Sequence, residues 1–316
     1  MARYILKRLL LMIPVLLGVS LIVYCVSGYN TDPVVYQVAG QDATMEQIEA
    51  TRVSLGLDRP LWVRYVEYMG GLLRGDLGKS YRNGDDVFKT WANAMPLTLK
   101  LSFASVLVSV VISIPLGIIS ALNRGSLTDN VSMVAALIGL ATPNFWLGLM
   151  LIILFSVKLG WLPTGGARDG ILSYILPAIT VGTGMTASLT RQTRASMLEV
   201  IHSDYLRTAR AKGVPERRVI LYHALRNALI PIITVIGAQV AATLGGASLT
   251  ETVFALPGAG RILVTAINTY DFTMVTGSVL MQAMITAVVL LMVDLLYAFV
   301  DPRIKAQFAK GGKKNG

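Results

Sequence analysis

Apolar runs of span length alternate with polar segments along the chain, at roughly 9–28, 97–122, 131–157, 173–190, 228–250 and 274–299. Each is long enough to cross a hydrocarbon layer ~30 Å thick as a helix, the fourth being the shortest. The pattern predicts an all-α integral membrane protein with six transmembrane helices. Pro115, Pro143, Pro177 and Pro231 lie in or beside these runs, with Gly117, Gly139, Gly148, Gly237, Gly245 and Gly246. Such residues suit close helix packing and tolerated kinks, and equally a bundle that rocks around a central pathway.

The polar segments give the rest of the organisation. Residues 1–28 form a basic start and the first span, 29–95 a soluble insert, 96–303 a transmembrane core, and 304–316 a tail. In the insert, Thr44-x-x-Gln47 is a capping box that opens a helix to about Leu55, with Gly56 to end it. Pro60 opens a second helix, whose Leu61, Tyr65, Met69 and Leu72 share one face and are expected to pack against the spans. Gly311–Gly316 is Gly/Lys-rich and reads as disordered.

Composition agrees: 54% of residues are hydrophobic and 15% charged. The net charge of +10 is unevenly spread. Arg3, Lys7 and Arg8 precede the first span, and Arg303, Lys305, Lys310, Lys313 and Lys314 follow the last. Residues 191–227 hold eight basic and three acidic residues, whereas 29–95 holds seven basic and nine acidic. Because Lys and Arg are retained on the cytoplasmic side, both termini and 191–227 are expected inside, with 29–95 and 251–273 outside. The positive charge thus reads as topology and contact with anionic lipid. No basic patch interleaved with aromatics points to nucleic acid.

Candidate chemistry is sparse. Gly78-Lys79-Ser80 has the end of a phosphate-binding loop, but the glycine needed five residues before Gly78 is replaced by Leu73. No other Gly-Lys-Ser/Thr occurs, so no nucleotide site is expected in this chain. Cys25 is the only cysteine. A lipoprotein signal ending at Cys25 is disfavoured, because Tyr24 is bulky where cleavage needs a small residue and the run is long enough to span. His202 and His223, the only histidines, lack the accompanying thiols and carboxylates of a metal site, so no metal is expected. No catalytic constellation can be assembled on one side of a membrane. Between their ends the spans show no ionisable residue apart from Asp294, which argues against an ion-coupled carrier. Asp294 reads as a structural anchor pairing with a basic residue near the inner face. Asn144, Thr183, Thr186 and Gln239 are candidates to line a pathway, since lipid contact would leave them unsatisfied; hydrogen bonding between helices is the alternative.

The long polar stretch before the fifth run contains a helix of about two turns, too short to be stable without a partner surface. Asp204 is a candidate N-cap, Gly213 fits the left-handed position after the last turn, and Pro215 suits the start of a new helix. Tyr205, Thr208, Ala209 and Lys212 share a face at i, i+3, i+4 and i+7. Small Thr208 and Ala209 would let that face enter a groove, while Arg207, Arg210 and Lys212 could meet acidic rims.

Tyr205-Leu206-Arg207-Thr208-Ala209-Arg210-Ala211-Lys212-Gly213, followed by His223-Ala224-Leu225-Arg226-Asn227-Ala228 and Pro231, resembles the cytoplasmic loop of ABC importer permeases, most nearly the dipeptide/oligopeptide/nickel family. Arg207-Thr208-Ala209 stands where the wider class has Glu-Ala-Ala. Leu55–Leu61, Gly75–Gly78, Pro143–Trp146, Gly160–Pro163, Leu256–Arg261 and Val293–Tyr297 through Asp301-Pro302-Arg303 extend the resemblance over nearly the whole chain. The resemblance implies a permease bundle whose coupling helix is Tyr205–Gly213, with His223, Arg226 and Asn227 supporting the loop. It also implies a second homologous permease, two ABC ATPase subunits carrying ATP and Mg, and an external solute-binding protein or lipoprotein, and no cofactor on this chain. Di- or oligopeptides are the expected cargo, nickel or glutathione the alternative; outside the family, an autonomous channel or carrier is the rival.

Overall fold

The computed structural model describes residues 2–40 and 42–300. The tail 304–316 and Asp301-Pro302-Arg303 lie outside the described residues. Helix α1, Ala2–Gly28, is the first span. The insert that follows holds α2 (Asp32–Ala39), α3 (Met45–Ser54) and α4 (Leu61–Leu72). The capping box at Thr44 and Gln47 forms as expected, and Gly56 ends the helix at φ +65°. The α4 stripe packs inward, with the Tyr65 hydroxyl 2.9 Å from Ser20 Oγ on α1. Tyr24 of α1 lies among Tyr65, Tyr68 and Phe272.

The second span is α5, Val87–Leu122, capped by Asp86, whose carboxylate accepts from the Lys89 N–H at 2.8 Å. It begins earlier than the apolar run, and Lys100, overlooked among the span residues, is an exposed cation well inside it. The third run is not one straight helix. It forms α6 (Leu127–Ala141), α7 (Asn144–Leu151) and a π-helical turn, Ile152–Lys158, with a 100° bend between α6 and α7. Pro143 explains the bend: it has no N–H to donate, and its ring drives Thr142 into the extended conformation observed there.

The fourth run, expected at 173–190, extends to α8, Leu172–Ile201. Nothing after Leu189 breaks a helix, so Arg191 and Arg194 belong to the span's continuation, not to a loop. Next come α9 (Asp204–Ala211), α10 (Glu216–Arg218), a π-helical turn (Val219–Ala224) and α11 (Leu225–Gly246). Short α12 (Ser248–Val253) and α13 (Ala259–Asn268) lead to the last span, α14 (Phe272–Val300).

The core of the bundle is the seam between α5 and α8, lined by small side chains. Leu101, Ser105, Ser109, Ser113 and Gly117 recur every fourth residue of α5 and all are buried. A Cβ at Gly117 would lie 2.7 Å from Thr193 Cγ2, and one at Gly182 3.1 Å from the Ser105 carbonyl. In lipid there is no hydrophobic drive between helices, so this close approach supplies the association through dispersion.

Contacts fix which helix ends lie together. Arg8 pairs with Asp294 at 2.9 Å. Gly237 of α11 packs on Val293, and Ala228 near the start of α11 joins the core around Leu206 of α9. The start of α1, the end of α14 and helix α9 therefore share one face of the bundle. At the opposite face, Gly28 meets Phe272, and Gly277 meets Val87.

That opposite face is stapled by Glu251, a residue the sequence did not single out. Its side chain is 1% exposed. Oε1 accepts from the Thr98 hydroxyl of α5 at 2.6 Å, and Oε2 from the Arg261 N–H at 2.9 Å. Thr98 Oγ1 in turn accepts from the Ala259 N–H at 2.9 Å. A carboxylate thus caps the positive end of α13 and binds α5, α12 and α13 together. Burial pushes its carboxyl above the usual range, against the pull of the Thr98, Arg261 and Gly260 donors. The Pro257-Gly258-Ala259-Gly260-Arg261 segment has two glycines here for a steric reason: a Cβ on Gly260 would approach Glu251 Oε2 to 2.9 Å. Replacing Glu251 with Ala orphans these donors at about 1–3 kcal/mol each. The purified Glu251→Ala protein should therefore melt several degrees below wild type in detergent, and an unchanged melting temperature would remove the staple from this account.

Candidate functional site

The candidate coupling site is built on α9. Its N-cap is Ser203, not Asp204, which becomes the first helical residue. Ser203 Oγ donates to the Val200 carbonyl at 2.6 Å instead of capping, and Asp204 lies in the first turn, where the helix dipole favours an acid. The C-terminus closes as expected. Gly213 takes φ +76°, its N–H donates to the Arg210 carbonyl at 2.9 Å, and the Val214 N–H reaches the Ala209 carbonyl at 3.3 Å. This pairing of two bonds around a left-handed residue satisfies the last carbonyls of the helix. Arg210 then grips Glu216 across the turn, Nη2 to Oε1 at 2.9 Å and Nε to Oε2 at 3.1 Å.

One side chain roots α9 in the bundle. Leu206 is fully buried among Ile118 and Ala121 of α5, Leu189 and Met197 of α8, and Val219, Ile220, Ala224, Ala228 and Ile232. Ala209 packs against the same cluster and is half-buried. The expected docking face thus needs correction: Ala209 points into its own chain. The outward face carries Asp204, Thr208 and Ala211, flanked by Tyr205, Arg207 and Lys212, all exposed. Helical spacing showed which residues align, but a polar-rich helix with a single buried anchor did not show which stripe faces in.

Of the expected supports, Asn227 donates to the Tyr205 hydroxyl at 2.9 Å and to the His223 carbonyl at 3.0 Å. His223 contributes its backbone, and Arg226 is exposed beside them.

A half-buried ion pair with a fully buried acid adjoins this site and escaped the sequence reading. Asp129 of α6 is 2% exposed. Its Oδ1 and Oδ2 receive Nε and Nη2 of Arg194 from α8, both at 2.7 Å. The Ser120 hydroxyl of α5 and the Gly125 N–H complete the shell. Three spans thus meet at one planar fork-to-carboxylate contact. The available signal was Ser126-x-x-Asp129 after Gly125, a helix start whose acid sits in the first turn.

The four candidate pathway residues fall into two places. Asn144 and Gln239 line one cleft of about 330 Å³ with Ser188 and Thr243, and Gln239 donates to the Met185 carbonyl at 3.0 Å. Thr183 and Thr186 line a separate, mostly apolar groove between α5, α6 and α8. Both donate at 2.7 Å to carbonyls four residues back on their own helix, which satisfies them without water or a neighbour. No group of three or more His, Cys, Asp or Glu that could hold a metal ion occurs among the described residues.

Comparison with known proteins accords with this architecture. Residues 113–306 match the binding-protein-dependent transport system inner membrane component family, and residues 1–102 match the N-terminal region of such membrane components. A di/tripeptide transport system permease protein of Pseudomonas aeruginosa is 39% identical over 97% of this chain and 100% of its own. A dipeptide transport system permease protein of Escherichia coli K12 is 38% identical over 96% and 99%. A glutathione transport system permease protein of Escherichia coli is 40% identical over 96% and 99%. In fold, the chain resembles a solved chain of the MetNI methionine ABC transporter in an inward-facing conformation, with TM-score 0.58 and 18% identity over 67% of this chain and 96% of that one. With this match in sequence and in helical architecture, the chain belongs to the family of binding-protein-dependent transport system inner membrane components, as a multi-pass permease of the inner membrane.

Proposed function

We propose that this chain is one permease subunit of an ATP-driven importer for di- and oligopeptides, and that α9 is its coupling helix. The observation that carries the coupling role is the single-anchor seating of α9. Leu206 ties it to the ends of α5, α8 and α11, while its basic, small-residue outer face is left to a partner. Two ATPase subunits, which hold ATP and Mg, dock on that face. A second homologous permease completes the pathway, so hydrolysis belongs to the partners and not to this chain. An external solute-binding protein or lipoprotein delivers cargo to the opposite face, formed by 29–95, 158–172 and 251–273. Lipid surrounds the bundle. Peptide cargo is supported by relatives named for dipeptide and di/tripeptide transport. A relative named for glutathione transport keeps that tripeptide as the second reading. The cleft at Asn144 and Gln239 is the stronger candidate for this chain's share of the pathway.

Movement would pass by rigid-body displacement. Force on α9 reaches the α5–α8 seam through Leu206, and reaches α6 through the Arg194–Asp129 fork.

The charge distribution supports an orientation with α9 and both termini in the cytoplasm. In a Cys25-free background, a cysteine at Asp85 should react with an impermeant reagent on intact cells and one at Lys212 should not; labelling of both from outside would overturn the orientation.

Ala211→Asp sets a charge on the outward face without touching the chain's own core. An unpaired charge buried at an interface costs about 3–5 kcal/mol, enough to weaken ATPase association ~100-fold or more. Gly213→Val acts differently, by forbidding the left-handed turn. Both variants should insert normally and lose import, by shedding the ATPase subunits or by hydrolysing ATP without transport. Normal import by Ala211→Asp would remove α9 as the coupling element.

A further inference from the structure

The contacts of α4 with α1 fix the height of α4 relative to the membrane. The Tyr65 hydroxyl lies 2.9 Å from Ser20 Oγ, and the Met69 sulfur lies 3.8 Å from the same atom. The Tyr65 ring is 5.4 Å from that of Tyr24, and a Cβ at Gly28 would lie 3.3 Å from Leu61 Cδ1. Helix α4 thus crosses α1 between its end at Gly28 and Ser20, about two turns or ~12 Å below. Arg8, paired with Asp294, marks the other end of the span. Some ~30 Å of helix separate Arg8 from Gly28, which is the thickness of the hydrocarbon layer. Ser20 therefore lies inside that layer and α4 at its edge. Over the same stretch α1 exposes Leu21, Ile22 and Val26, side chains that a membrane span turns to lipid.

Beside its packing stripe, α4 carries a second row. Trp62, Val66 and Leu73 stand at i, i+4 and i+11 and are 70%, 64% and 86% exposed. Glu67 and Arg74 lie roughly 100° further round, and Glu67 turns to Arg59, 2.6 Å away. The helix is therefore apolar on two adjoining flanks and polar on the remaining one. One apolar flank is used inside the chain; the other is covered by none of the described residues. A row of exposed apolar side chains marks a contact surface. An amphipathic helix in a membrane boundary buries such a face about 5–10 Å deep, with Trp at headgroup level. Exposed Arg74 and Asp76, just past the helix, suit a helix held in the boundary and not one driven across the layer.

We infer that α4 is seated in the phospholipid leaflet at the face opposite α9, with Trp62, Val66 and Leu73 in contact with lipid. Its height on α1 selects lipid as the occupant over a soluble partner. The insert is then not wholly a water-facing domain, and only the rest of it is left for the solute-binding protein proposed above.

Collision accessibility of a nitroxide tests this without transport, so its failure is separate from that of the importer reading. The full-length chain, isolated with the subunits that accompany it, is reconstituted in phosphatidylethanolamine–phosphatidylglycerol vesicles. It carries one spin-labelled cysteine in a Cys25→Ser background. Val66→Cys is the main position and Leu73→Cys an independent second, both exposed, so the label displaces no packing. Ile22→Cys gives the lipid reference and Asp85→Cys the water reference. Oxygen partitions into hydrocarbon, whereas a neutral nickel chelate stays in water. At both positions oxygen should outweigh the chelate several-fold, as at Ile22→Cys; Val66→Cys, central in the row, decides if the two differ. A chelate-dominated response, as at Asp85→Cys, would put the row in water and overturn the inference. Shielding from both reagents would mean that a protein, the second permease or the binding protein, covers it, and would overturn the inference equally.

Discussion

The close contact of α5 with α8 is the constraint on which the remaining architecture rests. A membrane helix gains nothing from merely hiding apolar surface, because lipid is equally apolar. Ser105, Ser109, Ser113 and Gly117 instead let the two backbones approach until dispersion is strong. The seam also places other parts. Its one end holds Ile118, Ala121, Leu189 and Met197, the pocket that receives Leu206. Its other end holds Leu101 and Leu176, packed with Phe254 and Leu256 at the turn that leads to α13.

Polar groups then fasten elements that packing alone would leave free to slide. Arg194 and Asp129 join α8 to α6 at one face; Glu251 joins α12 and α13 to α5 at the other. Each is a carboxylate almost fully removed from solvent and surrounded by donors. Losing one partner of such a group is far costlier than losing a surface pair. Such fastenings let the bundle move as blocks while its internal contacts hold, which suits the coupling role proposed for α9.

Much of this was legible in the sequence where short-range rules govern. Run lengths gave the spans, Thr44 and Gln47 gave the start of α3, and Gly213 gave the end of α9, while Asp294 meets a basic residue, Arg8. Expectations strayed where the answer depends on what lies opposite. Pro143 announced a kink, but not that the third span would turn through 100°. The inward stripe of α9 was set by one leucine against three other helices, so Ala209 was assigned to the wrong side. Glu251, Asp129 and Arg194 sat at the margins of apolar runs, where a charge looks like a solvated end. Only their partners, distant in sequence, reveal that the two acids are buried and that Arg194 reaches one of them.

The central claim is that this chain is half of a passage that works only when an ATPase engages α9. Proteoliposomes test it most directly, with uptake of a labelled dipeptide measured for this permease with its homologous partner and binding protein, with and without the ATPase subunits. ATP-dependent uptake is expected only in the complete assembly. Equal uptake without the ATPase subunits would contradict it and make the chain an autonomous channel or carrier.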